Sequence, residues 1–272
     1  MEGIRYMRSY EIVDTEEHRS VGILLYYEKK KDFIIELQED LDEWTAPLLF
    51  TNLVKNGIYT VQRDLSFLWV KERIIPSGRQ NISAILKNHK MDAYDEMKFL
   101  ELSKARCSQD NLCIKKTDQL PADVVARAEK HVVDCVPCAE HKVLCFFADG
   151  TVKKIDLQDI QSSATGVDKV LRNEPLYRSC QVGTGGYSIT FDDSIDIPAW
   201  ILYDEGVTIP LSQDDFICFA RNNLLDTTEC CEVLDCSRQN ISYMVKRGQL
   251  EEVKVNVKGN LYRKGDVLKN MW

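Results

Sequence analysis

Short apolar runs separated by polar segments mark the first forty residues as β-strands joined by turns. Apolar residues at 12–13, 21–27 and 33–37 predict three strands, and the polar stretch 28–32 predicts a solvated turn between the last two. Helical spacing follows. In the segments 42–55, 82–86 and 95–105 apolar residues recur three or four positions apart, so each segment predicts a helix.

Two of these helices come with an expected set of core residues. The first is expected to bury Leu41, Trp44, Leu48 and Leu49, and the last is expected to bury Met97, Phe99, Leu100 and Leu102. A polar stretch from 116 to 125 then predicts a linker. It separates this block from the next one.

A second β-rich block follows the linker. Strands are predicted at 131–135, 142–147, 152–157, 180–182, 187–191 and 195–198, with a short helix at 167–171. Asp149-Gly150 favours a tight hairpin turn, because glycine adopts a positive φ without steric cost. The glycine-rich segment 183–186 (GTGG) lacks the Lys-Ser/Thr and the helix of a phosphate-binding loop, so we interpret it as another hairpin turn.

The pattern after Leu225 predicts a helix, a tight turn and a second helix. Asp226 or Thr227 can cap the first helix, because a short side-chain oxygen accepts a backbone N–H that has no partner within the helix. Ser237 can cap the second helix, which runs over 238–247 and ends before Gly248. The residues expected to face inward are Cys230, Val233 and Leu234 in the first helix and Ile241, Met244 and Val245 in the second.

A hairpin completes this segment. Alternation over 251–257, a turn at 258–260 and a return over 261–263 predict two strands, and a closing helix begins at Lys264. The outer side of the second helix and the hairpin carry the candidate DNA contacts: Ser237, Arg238, Gln239, Asn240, Tyr243, Lys246, Arg247, Lys254, Lys258 and Arg263. Arginine, glutamine and asparagine near a helix N-terminus can bond bidentately to purine edges in the major groove, and basic residues of a hairpin can hold the phosphate backbone.

The order TTECCEVLDCSRQNISYMVKRGQL, followed by VKGNLYRKGDV, resembles the winged helix-turn-helix of excisionase and MerR-type proteins. That family shows an acidic first helix, a Ser-Arg start to the second helix, an R-G-x-L exit and a final R-x-x-D-[VL]. The chain differs at Cys230-Cys231, where the family usually has two alanines. The resemblance covers about 50 residues and implies that the second helix reads DNA while the wing holds phosphate.

The first block resembles the small N-terminal subdomain of HipA-type kinases, over roughly residues 18–115. The resemblance rests on VGILLYY, on FLWVKERIIPSGRQNISAIL and on DEMKFLELSKARCSQDNLCI. In the last of these, Lys104, Ala105 and Ser108 replace glycines of the family pattern. The chain shows no phosphate-binding glycine loop followed by a catalytic Asp/Asn pair, so the resemblance implies an interaction module and not a kinase. A small α+β domain of unrelated ancestry is the alternative.

The middle block resembles a small bacterial domain of unknown function that is linked to antitoxin-like regulators. The resemblance rests on VLCFFADGTVKKIDL and on LRNEPLYRSCQVGTGGYSITFDDSIDIPAWILYDEG. Tyr177 and Phe191 stand where that domain usually has phenylalanine and tryptophan. The resemblance implies no known chemistry.

Length and charge distribution indicate several domains, of which the C-terminal one is basic. The 272 residues allow two or three domains, each with a core of its own. From Ser237 onward eight Lys/Arg face three Asp/Glu; because the whole chain carries −8, the remainder carries −13. We therefore predict a multidomain α+β protein: two small mixed α/β-meander domains at 1–118 and 124–208, and a basic winged helix-turn-helix at 213–272.

The ten cysteines have two possible roles. Together with the lack of an apolar leader or of a run of eighteen apolar residues, they predict a cytoplasmic protein with free, mostly buried thiols. The alternative for one pair is a zinc site, because Cys135 and Cys138 have His131 and His141 nearby. A second Cys-x-x-Cys is missing at ligand spacing, so no metal and no cofactor is predicted.

The leading hypothesis is a DNA-binding regulator of the antitoxin or autorepressor type. Its expected partners are double-stranded DNA, a protein such as a kinase-like toxin, and a second copy of the chain; no membrane is expected. A protein-interaction inhibitor that neutralises an enzyme without binding DNA is the alternative. An enzyme using the middle domain is a third reading, but no catalytic constellation supports it, so the protein is not expected to be an enzyme.

Overall fold

The structure is a computed structural model that describes residues 7–210, 213–257 and 259–272, with the backbone alone for 213, 214, 216, 217, 254–257, 259–261 and 263. These residues divide into two compact units, a first unit over Met7–Val124 and a second unit over Val125–Trp272. Both contain helices and antiparallel sheets, which confirms the predicted α+β class. The finer division of the second unit into two domains stays a prediction.

The first unit is built around one sheet. Its elements are the strands β1 Met7–Asp14, β2 Arg19–Tyr27, β3 Asp32–Leu37, β4 Thr60–Val61 and β5 Leu112–Thr117, and the helices α1 Thr51–Lys55, α2 Arg63–Lys71, α3 Ile82–Asn88 and α4 Glu96–Ser103. The strands lie in the order β4-β3-β2-β1-β5, all antiparallel, so β5 is an edge strand. The three predicted N-terminal strands are therefore confirmed, whereas β4 and β5 are not among the predicted strands.

Helices α2 and α4 cover one face of this sheet. Trp69 of α2 is fully buried against strand residues, and the Arg73 guanidinium stacks 3.9 Å from its ring centre. The buried Ser66 hydroxyl accepts from the Ile35 amide at 3.0 Å and donates to the Val61 carbonyl at 2.9 Å. These two bonds connect α2 to the sheet where β3 and β4 meet.

The predicted helix over 42–55 is wrong in its first half, and Pro47 supplies the reason. Proline disfavours helical backbone at the residue before it and donates no hydrogen bond. Regular structure begins only with a short 3₁₀ turn at Leu48–Phe50 and α1. Trp44 and Leu48, both expected in the core, are 85% and 94% exposed.

The other predicted elements of the first unit are confirmed with two corrections. Helix α4 buries Met97, Phe99 and Leu100 as expected, but Leu102 is 54% exposed on its outer side. The predicted linker over 116–125 is shorter than expected. Residues 116 and 117 end β5, and a helix α5, Ala122–Ala128, begins inside it.

Within its described residues, the second unit contains three antiparallel sheets. Its strands are β6 Val132–Pro137, β7 Lys142–Phe147, β8 Val152–Asp156, β9 Gln181–Val182, β10 Ser188–Phe191, β11 Ile195–Pro198, β12 Val207–Thr208, β13 Leu224–Leu225, β14 Glu252–Val257 and β15 Gly259–Arg263. The sheets have the orders β12-β8-β7-β6, β11-β10-β9 and β13-β15-β14. Its further helices are α6 Val167–Leu171, α7 Glu174–Arg178, α8 Ala199–Glu205, α9 Gln213–Asn223, α10 Thr227–Leu234, α11 Arg238–Lys246 and α12 Lys264–Lys269.

Both predicted hairpin turns are confirmed. Between β7 and β8, Gly150 has a φ of 84° and the Asp149 carboxylate accepts from the Thr151 amide at 2.8 Å. Between β9 and β10, the glycine-rich turn closes through the Gly183 amide, which donates to the Ser188 carbonyl at 2.9 Å. Gly186 in this turn has a φ of 76°, and a Cβ there would lie 2.5 Å from the Val132 carbonyl oxygen.

The main core of the second unit lies between the four-stranded sheet and the elements around the β9–β10–β11 sheet. Tyr177 of α7 is fully buried in it, and its hydroxyl donates to the Lys142 carbonyl at 2.5 Å. Leu268 of α12 is buried in the same cluster, so the C-terminal helix joins the core of the middle segment.

Candidate nucleic-acid interface

Helix α10 begins where the sequence predicts. The Asp226 carboxylate accepts from the amides of Thr228 at 2.6 Å and Glu229 at 2.9 Å, and the Glu229 carboxylate accepts from the Asp226 amide at 2.7 Å. This reciprocal pair is a capping box, which stabilises a helix start by about 1 kcal/mol. Cys230 on the inner face is fully buried, and Val233 and Leu234 pack beside the small core of this segment.

The turn between α10 and α11 is also fixed by residues close to it in the sequence. Asp235 ends α10 with a φ of 49°, a left-handed conformation that aspartate adopts more readily than most residues. The Ser237 hydroxyl accepts from the Asn240 amide at 3.4 Å and caps α11 as predicted. Two helices are thereby joined through a short turn, as in a helix-turn-helix and also in an αα-hairpin, so the predicted winged helix-turn-helix stays a prediction.

Helix α11 presents its polar side to solvent. Ile241 and Met244 are buried against α10 and the hairpin, and Val245 is partly buried, as expected. The predicted contact residues of this helix are all exposed: Ser237, Arg238, Gln239, Asn240, Tyr243, Lys246 and Arg247. The surface that the sequence assigns to DNA is therefore open on the second unit.

Two contacts pre-order this surface. The Arg247 guanidinium lies 4.1 Å from the centre of the Tyr243 ring, a cation–π distance, and Arg238 Nη2 donates to Thr228 Oγ1 at 3.2 Å. The second contact holds the arginine at the start of α11 next to α10. Ordered side chains lose less conformational entropy when a ligand binds.

The hairpin follows as predicted, and one more strand joins it. Gly248 ends α11 with a φ of 70°, β14 and β15 pair antiparallel, and β13 pairs with the other side of β15. Lys258 lies outside the described residues, and for Lys254 and Arg263 the structure gives the strand backbone only. Contact of these three side chains with DNA therefore stays a prediction.

Helix α12 holds this segment against the four-stranded sheet. The Gly265 amide donates to Asp134 Oδ2 at 3.2 Å, and both residues are buried. With its amide NH₂ directed at β6, the buried Asn223 donates to Asp134 Oδ1 at 2.9 Å and to the Cys135 carbonyl at 3.2 Å. The carboxylate of Asp134 thus connects β6 with the end of α9 and the start of α12.

The zinc alternative finds no support in the geometry. Among the described residues no group of three or more His, Cys, Asp or Glu side chains is placed to hold a metal ion. Cys135 and Cys138 pack into different apolar clusters, and Cys135 Sγ lies 3.8 Å from Cys180 Sγ. A hydrogen bond with Cys180 and burial raise the pKa of the Cys135 thiol well above its ordinary value, and burial raises the pKa of Cys138 to about 12.

His131, the third candidate ligand, is largely buried, and its imidazole is uncharged at neutral pH. Its ring lies 4.1 Å from the Tyr187 ring, and burial lowers its pKa from 6.5 to about 4. The unfolded chain binds a proton near pH 6.5 and the folded chain only near pH 4. Stability is therefore fully present above pH 6.5 and falls as the pH drops towards 4, by about 3 kcal/mol in total.

This pH dependence can be measured on His131→Gln. Between pH 7.5 and pH 4.5 the free energy of unfolding in urea is expected to fall by about 2–3 kcal/mol less for the variant than for the natural protein, because the variant has no imidazole to protonate. An equal fall in both proteins would contradict a depressed pKa at this residue.

Comparison with protein-family models, with curated proteins and with solved structures found no match. Within the described residues, the helices are too short or too polar to cross a lipid bilayer.

Proposed function

We propose that this protein is a DNA-binding transcriptional regulator of the antitoxin or autorepressor type. The observation that carries the proposal is the exposed N-terminal half of α11, where Arg238, Gln239 and Asn240 follow a capped start and have open access to solvent. In a helix-turn-helix, the first residues of the second helix contact base edges in the major groove. Arginine matches guanine, and glutamine or asparagine matches adenine.

The remainder of the segment fits the same role. Lys246 and Arg247 near the end of α11 supply positive charge for phosphates, and Tyr243 can bond to a phosphate oxygen. The backbone hairpin β14–β15 stands in the place of a wing, and Lys254, Lys258 and Arg263 are its proposed phosphate contacts. Because one copy of the chain offers few cations, its binding to DNA is expected to be weak and salt-dependent. We therefore propose a homodimer that binds two half-sites.

The first unit is proposed as the partner-binding part. Lys104 and Ala105 stand where the resembling kinase subdomain has two glycines, and both have positive φ values, 53° and 56°. This supports the resemblance, because a positive φ is what glycine provides there. We propose that the first unit and the middle segment bind a protein such as a kinase-like toxin. A cytoplasmic location is proposed from the ten free thiols.

A second candidate function rests on a different observation. The Asp42 carboxylate accepts from the amides of Trp44 and Thr45, both at 2.9 Å, and this turn holds the Trp44 ring 85% exposed. An exposed, ordered tryptophan is a frequent anchor of protein interfaces. The protein could then act as an inhibitor or accessory factor that neutralises an enzyme without binding DNA.

The test is specific DNA binding. Duplexes enriched from a random library by the full-length protein are measured by fluorescence anisotropy at several salt concentrations. Arg238→Ala and Asn240→Ala are each expected to weaken binding by about 1–3 kcal/mol, roughly 5- to 150-fold, and to relax the sequence preference. The exposed cation Lys169 lies on α6, and Lys169→Ala is expected to leave both properties unchanged.

The two candidate functions predict different outcomes. Enrichment of a sequence, steep loss of affinity with salt and a selective effect of the α11 variants support the regulator. If the library yields no preferred duplex, or if Arg238→Ala and Lys169→Ala have equal effects, DNA reading by α11 is refuted. Retained capture of an enzyme partner would then favour the inhibitor.

A further inference from the structure

A basic cleft lies in the first unit between the C-terminal end of α4 and the edge strand β5. Its volume is about 400 Å³. Sites for small molecules commonly have volumes of roughly 300–1,000 Å³, so the cleft is large enough for a compact ligand. It belongs to the first unit alone and shares no residue with α11 or the hairpin.

Four cations surround this cleft. Lys104 and Arg106 come from the loop after α4, and Lys115 and Lys116 come from β5. All four are exposed, and none has an ion pair or a side-chain hydrogen bond within the part of the chain that the structure describes. Like charges in one concave site repel each other, and a bound anion removes that repulsion.

The cleft also contains a carboxylate. Glu101 Oε1 accepts from Arg8 Nη1 at 3.0 Å and from the Tyr10 hydroxyl at 2.5 Å, and Arg8 Nε also pairs with Glu28 at 2.7 Å. Two carboxylates therefore share one arginine. Lys104, Arg106 and Lys116 still leave the cleft with a net positive charge.

The loop that carries two of the cations is firmly held. Lys104 and Ala105 have consecutive positive φ values, which cost about 1–2 kcal/mol for each residue that is not glycine. The loop keeps this conformation because the Lys104 carbonyl accepts from the Ile114 amide at 2.9 Å and the Ala105 amide donates to the Leu100 carbonyl at 2.9 Å. Strained backbone that is held in place in this way is common at ligand-binding sites.

The floor of the cleft is partly apolar. Tyr10 and Ile114 lie on the face of the sheet that forms it, and each is at most 5% exposed. An apolar floor with a charged rim suits a ligand that has an organic body and an anionic group.

Protection of a sheet edge accounts for only part of this arrangement. Lysines on an edge strand prevent pairing with another chain, which explains Lys115 and Lys116. It does not explain Lys104 and Arg106, because they lie on a loop and not on a strand. Side chains alternate along a strand, so Lys116, which lies opposite Tyr10, shares the face of the cleft with the loop cations, whereas Lys115 lies opposite Glu11 on the other face. The convergence of Lys104, Arg106 and Lys116 on one cleft indicates a binding role.

We propose that this cleft binds a small polyphosphate, an anion with several linked phosphate groups. Lys104, Arg106 and Lys116 attract the three or four negative charges of such an anion, the planar guanidinium of Arg106 can bond two phosphate oxygens at once, and the lysines act as point charges beside it. The proposal does not depend on DNA reading by α11. The site would allow a phosphorylated metabolite to bind the partner-binding unit.

The experiment is isothermal titration calorimetry with full-length protein at constant ionic strength, without added divalent cations. The probes are inorganic tripolyphosphate and adenosine triphosphate, and sodium sulfate serves as a control anion. Lys104→Gln/Arg106→Gln removes two cations from the cleft. Its matched control, Lys169→Gln/Arg172→Gln, removes one lysine and one arginine from exposed positions in the second unit.

Saturable 1:1 binding of either polyphosphate is expected, with at least a tenfold loss in the cleft variant and less than a twofold change in the control. Tighter binding of adenosine triphosphate than of tripolyphosphate would identify an organic ligand, and equal binding an inorganic one. Lys116→Gln repeats the test from the strand and is expected to weaken binding, whereas Lys115→Gln, on the other face of the sheet, is expected to change it by less than about twofold.

Three results would overturn the proposal. They are absence of binding by both polyphosphates, an equal loss in the cleft and control variants, and sulfate binding as tight as that of the polyphosphates. A fourth concerns DNA. If the cleft variant loses affinity for duplex DNA while polyphosphates do not bind the natural protein, the cleft is a nucleic-acid contact and not a small-molecule site.

Discussion

Replacing Gly265 by alanine is expected to lower the free energy of unfolding by about 3–5 kcal/mol. A Cβ at this position would lie 2.1 Å from the Val133 carbonyl oxygen and 2.7 Å from Asp134 Oδ2. Backbone of a buried strand cannot move aside, so α12 would have to lift from β6. The hydrogen bond from the Gly265 amide to Asp134 would be lost with it.

Urea unfolding followed by circular dichroism measures this effect. Gly78→Ala is the matched control, because a Cβ at Gly78 would meet no atom within 4 Å and its φ is not positive. The control is expected to change stability by less than about 0.5 kcal/mol. Similar stabilities for the two variants would show that α12 does not pack on β6 as described.

The joint at Gly265 also matters for how the second unit works. Leu268 is buried in the core of the middle segment, and Val233 of α10 packs against that core as well as against its own. The segment that contains α10 and α11 therefore packs on the middle segment through α12 and α10. If α11 binds DNA as proposed, a ligand that displaced α12 would also move α11 and so couple partner binding to DNA release.

The sequence predicts the two helices α10 and α11 well because their signals are local. Asp226, Ser237 and Gly248 each act on backbone groups within four residues, so a helix start or end follows from the residue type alone. The one strand of this segment that was missed, β13, is two residues long and pairs with a strand almost forty residues away. Nothing in its own sequence marks that pairing.

Long-range contacts account for the other omissions. Asp134 and Gly265 are 131 residues apart, and their hydrogen bond has no local signature. The basic cleft likewise brings residues 104 and 106 next to 115 and 116, which look like ordinary solvated charges when considered separately. Trp44 and Leu48 lie outside the core for a local reason, because Pro47 between them prevents the helix that their spacing predicts.

Trp69→Ala is expected to destabilise the first unit by about 3–5 kcal/mol, because the largest fully buried side chain of that unit would leave a cavity. The loss would also remove the ring on which the buried Arg73 guanidinium stacks. Trp44→Ala makes the same chemical change at an 85% exposed residue and is expected to alter stability by less than about 0.5 kcal/mol.

Urea unfolding compares the two variants, and hydrogen exchange of the segments 33–37 and 63–71 localises the effect. Faster exchange in Trp69→Ala alone is the expected result. If Trp44→Ala lowered the stability more than Trp69→Ala, the Trp44 ring would lie in the core as its spacing predicts. The helix would then include the residues before Pro47.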